Sequence, residues 1–204
     1  IDIDKVLTLS SESIALSPLD HSKHEQIFVS IGRLEKVKGF DILIEAISLM
    51  KSKECYFFII GEGSEESSLK EKVHGLALDN RIHFLGFKPN PYPYLKNADA
   101  FILSSRVEGF PNVILEALAC EIPVIAVPAP GGTVEILEGC TGCKLATSVS
   151  ALALAQAIDE WISDAGIEVP VKSVDRYSLG KIIPCYEELF LNSIPLNHQI
   201  AQKR

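Results

Sequence analysis

The sequence predicts an α/β fold: a parallel sheet with helices on both faces. Two observations carry this. Short apolar runs alternate with helical patterns almost throughout the chain. The runs themselves, such as CYFFII at 55–60, are continuously apolar, as strands buried on both faces are. None approaches the roughly 20 apolar residues that span a bilayer.

Each element follows from its local pattern. Residues 26–31 (QIFVSI) read as a strand and 40–50 (FDILIEAISLM) have helical periodicity. Residues 55–60 are a strand and 65–75 a polar-faced helix, with Gly75 as its C-cap. A strand at 81–85, a short helix at 93–98 and a strand at 100–103 (AFIL) follow. Then come a helix at 111–120, a strand at 123–127, a short helix at 133–137 and an edge strand at 144–146. Helices at 151–163 and 179–192 close the pattern, the second kinked or delayed by Pro184. Residues 1–25 carry helical and loop signals and read as a lead-in, 26–192 as the domain, and 193–204 as a mobile polar tail.

The chain of 204 residues carries a formal charge of −8. That balance argues against a nucleic-acid backbone or an anionic membrane surface as the main partner. The opening IDIDKVLTLS lacks a signal-peptide pattern, and five cysteines in mostly apolar contexts fit a reducing, cytoplasmic setting. Cys140 and Cys143 form a single C-x-x-C in a Gly-rich turn. Without a second ligand pair it reads as two small turn residues, so no metal or cofactor is expected.

Parallel sheets of this kind bind ligands outside the carboxyl ends of their strands. Four segments there can carry chemistry. After the first strand, SIGRLEKVKGF offers Gly32 for a tight turn and the cations Arg33 and Lys38, which suit a diphosphate. After the second, Gly61-Glu62-Gly63 resembles the start of a dinucleotide fingerprint but has Glu66 at the third glycine position. It also lacks an acidic residue after the next strand, so it reads as a close turn near a nucleotide base. The segment SSRVEGFPNVILEALACEIPVIAV holds Glu108 in a loop and Glu116 inside the following helix. Pro111 suits the first helical position, and the amides of Asn112 and Val113 then point out of a helix start, an anion site. Glu116 among apolar neighbours is costly without partners. Glu116 could reach ribose hydroxyls, and Glu108 a sugar or its phosphate. Finally, PAPGGTVEIL carries Gly131 and Gly132, Thr133 as N-cap and Glu135 in the first helical turn.

Together the segments IGRLEKVKGFDILIEA, FFIIGEGSE, IHFLGF, ADAFILSSRVEGFPNVILEALACEIPVIA, GGTVEIL and GCTGCKLA resemble the nucleotide-sugar-binding domain of glycosyltransferase family 4. These are retaining enzymes of the GT-B fold. The SSRVEGFPN variant looks like enzymes that build bacterial surface glycans, O-antigens and lipid-linked oligosaccharides. The resemblance implies a Rossmann-like half of a GT-B architecture, with the N-terminal acceptor domain outside this chain. It implies that Arg33 and Lys38 hold the donor diphosphate, with Gly32 beside them, and support catalysis together with Glu108. Glu116 would bind the ribose, Glu108 the sugar, and the amides around Gly109, Phe110, Pro111, Asn112 and Val113 the phosphates. Gly61 and Phe87 would lie near the base. The donor would be a UDP-hexose or UDP-N-acetylhexosamine, and the acceptor a glycan or a polyprenyl-diphosphate-linked glycan. The chain alone would bind donor without transferring it. Glu121 stands where the family usually has glycine; if the position needs positive φ, it costs about 1 kcal/mol. A stand-alone nucleotide-binding or regulatory module is the alternative. A phosphorylase or epimerase has no supporting motif, and a nicotinamide dehydrogenase lacks its ribose reader.

Overall fold

The computed structural model describes residues 1–13, 26–164 and 174–193. The expected mobile tail beyond 193 and the lead-in from 14 to 25 lie outside the described residues. Six parallel strands form one sheet: β1 (Gln26–Ile31), β2 (Cys55–Ile60), β3 (Ile82–Gly86), β4 (Ala100–Leu103), β5 (Val124–Ala126) and β6 (Lys144–Leu145). Their spatial order is β3-β2-β1-β4-β5-β6, the Rossmann order, with β6 at the edge as expected. The helices are α1 (Ile3–Ser10), α2 (Phe40–Leu49), α3 (Glu66–Gly75), α4 (Tyr92–Lys96), α5 (Asn112–Ala119), α6 (Thr133–Leu137), α7 (Ala151–Ser163) and α8 (Leu179–Ser193).

The strand side chains divide the core into two layers. Phe28, Phe57, Ile59 and Ile102 point to one face and meet α2, α3 and α7. Ile27, Val29, Phe58 and Phe101 point to the other and meet α1, α4, α5 and α6. All eight are nearly inaccessible, so each strand is buried on both faces, which is why the runs read as continuous rather than alternating. Fully burying one such side chain contributes about 1.5–3 kcal/mol.

The expected boundaries shift by one or two residues at several ends, where the last turns fray. Two differences are physical. Gly75 is the last helical residue of α3 rather than its cap, and Ala77 takes the left-handed position at φ 55°. The Ala77 N–H bonds to the His74 carbonyl and the Leu78 N–H to that of Val73, the two bonds of a Schellman motif. The end of α5 repeats the motif: Glu121 sits at φ 64°, its N–H bonding Leu118 O while Ile122 N–H reaches Ala117 O. Glu121 therefore does occupy the strained position, and its carboxylate is taken up by Lys96 Nζ at 3.0 Å. Pro184 lies within α8, which starts at Leu179 without delay.

Glycine at either position removes the Cβ strain. Ala77→Gly is expected to raise unfolding free energy by about 1 kcal/mol in urea titration. Glu121→Gly should gain less, because it also loses the exposed pair with Lys96. A loss of stability on Ala77→Gly would contradict this account of the α3 end.

Candidate functional site

In the order 3-2-1-4-5-6 the chain leaves β1 toward β2 and reaches β4 on the opposite side. The loops after β1 and β4 thus open a crevice at the point where strand order reverses. Only a short ladder joins these strands, pairing Phe28 with Ala100 and Val29 with Phe101. It is extended toward the crevice by Ser30 Oγ, which donates to Ile102 O at 2.9 Å.

The first loop turns through a 3-10 segment, Lys36–Lys38, into α2. The second runs from Ser104 to Pro111 and enters α5. Across the crevice Lys38 Nζ donates to Glu108 Oε1 at 2.6 Å, with side chains 25% and 8% exposed, respectively. Ser105 Oγ donates to the same oxygen at 2.6 Å. Among the described residues Oε2 receives no donor and remains available to a ligand hydroxyl. The third loop wall is the segment after β5: Glu108 N–H bonds Pro130 O and Gly132 N–H bonds Gly109 O.

The remaining expected residues fall on the same carboxyl edge. Arg33 projects into solvent, 72% exposed, and pairs with Glu35 Oε1 at 2.8 Å instead of standing beside Lys38 over the crevice. Gly32 needs no special freedom, since a Cβ there would make ordinary contact with Phe40 and Lys38. The close approach comes from Gly61 (φ 144°), whose Cβ would lie 1.9 Å from Gly32 O. Gly61 and Glu62 thereby brace the cationic loop: Leu34 N–H bonds Glu62 O, and Glu62 Oε1 accepts from the Phe87 N–H at 3.3 Å. Phe87 itself is exposed. Pro111 occupies the N-cap of α5, not its first helical position, and Asn112 begins the helix. The N–H groups of Asn112 and Val113 are orphan donors of that start. Phe110 is half exposed and packs edge-on against Tyr177. Thr133 is the first residue of α6 and Gly132 its N-cap, and the buried Thr133 hydroxyl finds no partner among the described residues.

Glu116 lies on α5 between buried Leu115 and Ala117, and Tyr92 OH donates to its Oε1 at 3.4 Å. Burial pushes its carboxyl above the usual range, and that long bond lowers it only in part. Ser105, Tyr92 and Arg106 were missed by sequence reasoning. Arg106 stood within the segment already singled out; Tyr92 lies 24 residues from its partner and left no local signal. Cys140 and Cys143 are free thiols with Sγ atoms 2.8 Å apart in the turn before β6. Among the described residues no group of three His, Cys, Asp or Glu could hold a metal ion, and no helix is long and apolar enough to cross a membrane.

A doubly wound sheet with a cation, a shielded carboxylate and a helix start at its switch point places these groups where open α/β sheets take their ligands. The chain belongs to the glycosyl transferases group 1 family, which matches residues 15–176. It is 35% identical over 138 residues to an uncharacterised glycosyltransferase of Methanocaldococcus jannaschii, covering 67% of this chain and 34% of that protein. It is 32% identical over 136 residues to the N-acetylgalactosamine-N,N'-diacetylbacillosaminyl-diphospho-undecaprenol 4-alpha-N-acetylgalactosaminyltransferase of Campylobacter jejuni, covering 67% of this chain and 35% of that enzyme. The match thus spans about a third of the length of each relative. Its solved neighbours are GT-B glycosyltransferases. The structure of Anabaena HepE in complex with UDP and glucose superposes with a TM-score of 0.71 at 25% identity, covering 95% of this chain and 55% of HepE.

The raised Glu116 carboxyl has a consequence for stability. Between its unfolded and folded pKa values the folded chain binds more protons than the unfolded chain, so this group's contribution falls as pH rises through that interval. Glu116→Gln should therefore gain stability relative to wild type at pH 7, and the gain should shrink toward pH 4. Paired thermal melts at the two pH values check this; a variant less stable at pH 7 than at pH 4, relative to wild type, would refute it.

Proposed function

We propose that this chain is the donor-binding C-terminal half of a retaining, family 4 glycosyltransferase. In this reading it takes a UDP-hexose or UDP-N-acetylhexosamine, and an N-terminal domain supplies the acceptor: a surface polysaccharide or a polyprenyl-diphosphate-linked glycan. The reading places the enzyme in the cytoplasm and requires no metal in this domain. The Lys38–Glu108 pair at the switch point is the observation that carries it. The UDP and glucose held by the Anabaena neighbour and the diphospho-undecaprenol in the name of the Campylobacter relative support the donor and acceptor classes.

Each residue then has a chemical task. Lys38 takes the diphosphate as a point charge and stabilises the negative charge that grows on it as the glycosidic bond breaks. Arg33 leaves Glu35 to grip the same group; its exposed pair costs little to break. The α5 start, from Phe110 to Val113, presents N–H donors backed by the helix dipole. Glu108 reads a sugar hydroxyl through its unengaged oxygen, Glu116 accepts from the ribose, and the segment at Gly61 and Phe87 flanks the base. Transfer itself needs the acceptor-bearing half, so this chain binds donor without turnover.

A thermal-shift panel of UDP, GDP, ADP and NAD tests the reading. UDP at 100 times its Kd should add about 2.7 kcal/mol, a rise of roughly 5–10 °C for a domain this size. Glu116→Ala should weaken UDP itself, whereas Glu108→Ala should weaken the UDP-sugar more than UDP. Stabilisation by NAD and by no nucleoside diphosphate would overturn the assignment.

A further inference from the structure

The turn that presents Lys38 has little to hold it. Lys36 and Val37 are exposed, and the 3-10 segment is three residues long. Burial anchors the chain only on either side, at Leu34 and Phe40. The turn's own bonds are Lys38 N–H to Glu35 O at 2.9 Å and Gly39 N–H to Lys36 O at 3.2 Å. Such a segment opens locally at low cost unless something else ties it down.

The tie comes from the opposite loop. Three successive carbonyls of the turn each accept a bond from residues 104–106. Ser104 Oγ donates to Lys38 O at 3.1 Å, the Arg106 N–H to Val37 O at 2.8 Å, and Arg106 Nη1 to Lys36 O at 2.7 Å. The same guanidinium grips Asp41, in the first turn of α2, through both carboxylate oxygens at 2.7 Å each. This fork holds the Asp41 carboxyl below its ordinary value and raises the Arg106 guanidinium above its own. Gly39 closes the seam: at φ 65° its missing Cβ would lie 2.1 Å from Ser104 O. Arg106 thus supplies two of the three rungs and fastens the helix that follows the turn.

We propose that Arg106 is a positioning residue: its fork on Lys36 O and Asp41 holds the 36–38 turn so that Lys38 stands over the crevice. The effect on ligand rests on the reading of that crevice as a nucleoside-diphosphate site; the effect on the turn does not. Lysine cannot substitute, because one ammonium cannot serve a carbonyl and both carboxylate oxygens in a plane.

Two measurements on the full 204-residue chain test this. The first is amide hydrogen exchange. Arg106→Ala should speed exchange at Lys38 and Gly39 by about tenfold or more, as expected for the loss of charge-assisted bonds, and leave the β1 amides unchanged. Unchanged exchange at both positions would overturn the clamp. The second is a double-mutant cycle read by UDP affinity. Arg106→Ala should weaken UDP by about tenfold, Arg106→Lys should recover only part of it, and in a Lys38→Ala background the same change should cost less than about twofold. Its effect on thermal stability should persist in both backgrounds, which separates positioning from general destabilisation. Losses that multiply, or an Arg106→Ala chain with wild-type UDP affinity, would overturn the positioning role. If the wild-type chain failed to bind UDP, the functional reading would fall and the exchange data alone would decide the clamp.

Discussion

The seam between β1 and β4 is the constraint on which the rest of the molecule depends. These strands are 72 residues apart in the chain at Ile27 and Asp99, yet their pairing puts the Lys38 loop beside the Glu108 loop. The ladder is short, and side chains extend it at both ends. Asp99 accepts from the Ile27 N–H through Oδ2 at 2.6 Å and returns its own N–H to Ile27 O at 2.8 Å. Ser30 does the same work toward the crevice. Because the connections from β1 and to β4 run to opposite sides, no crossover covers the gap between their carboxyl ends. The sheet order therefore makes the crevice, and the loops decide its chemistry.

That chemistry is costly to the fold. Glu108 is almost fully shielded, so its charge is tolerated only with Lys38 and Ser105 in place. Removing one partner of such a pair leaves an uncompensated charge, which is why the loops are held together so thoroughly. Glu116 is less well compensated, with a long bond from Tyr92 as its only described partner. Natural folds usually violate local consistency at functional positions. Both glutamates depart from local consistency, Glu108 in the loop that enters α5 and Glu116 on the helix itself beside Tyr92.

Much of the fold was legible because strand burial on both faces leaves an unambiguous pattern of apolar runs. Glu116 was legible for a related reason: a carboxylate amid VILEALA contradicts its surroundings. What could not be read was contact between distant segments. Nothing near Arg33 distinguishes it from Lys38 as the cation of the crevice; the choice depends on the 70-residue separation that β1–β4 pairing closes. Gly32 looked like the permissive position of its loop, whereas the steric demand comes from Gly61, just past the neighbouring strand β2. Helix ends misled at single residues, since Pro111 and Thr133 each sit one place from the position their residue type prefers. Capping is a matter of fractions of a kcal/mol to about 2, and tertiary packing overrides it.

Lys38 and Arg33 differ in what it costs to use them. The chain as a whole is acidic, at −8, so the anionic donor of the proposed reading is drawn by a local field. Lys38 is oriented before any ligand arrives, with Glu108 as a resident counter-ion at 2.6 Å. In the proposed reading an incoming phosphate oxygen joins that ammonium, which has three donors, without having to displace the carboxylate. Little side-chain entropy remains to be lost, and a preorganised charge is the kind that stabilises a developing anion most. Arg33 is the reverse case: exposed, paired among the described residues only with Glu35 and able to swing. Its contribution is reduced by the ordering it must undergo. A ligand whose charge grows during reaction therefore gains more from Lys38, and the structure invests its polar contacts accordingly: they converge on the Lys38 turn, while Arg33 is left to a surface pair.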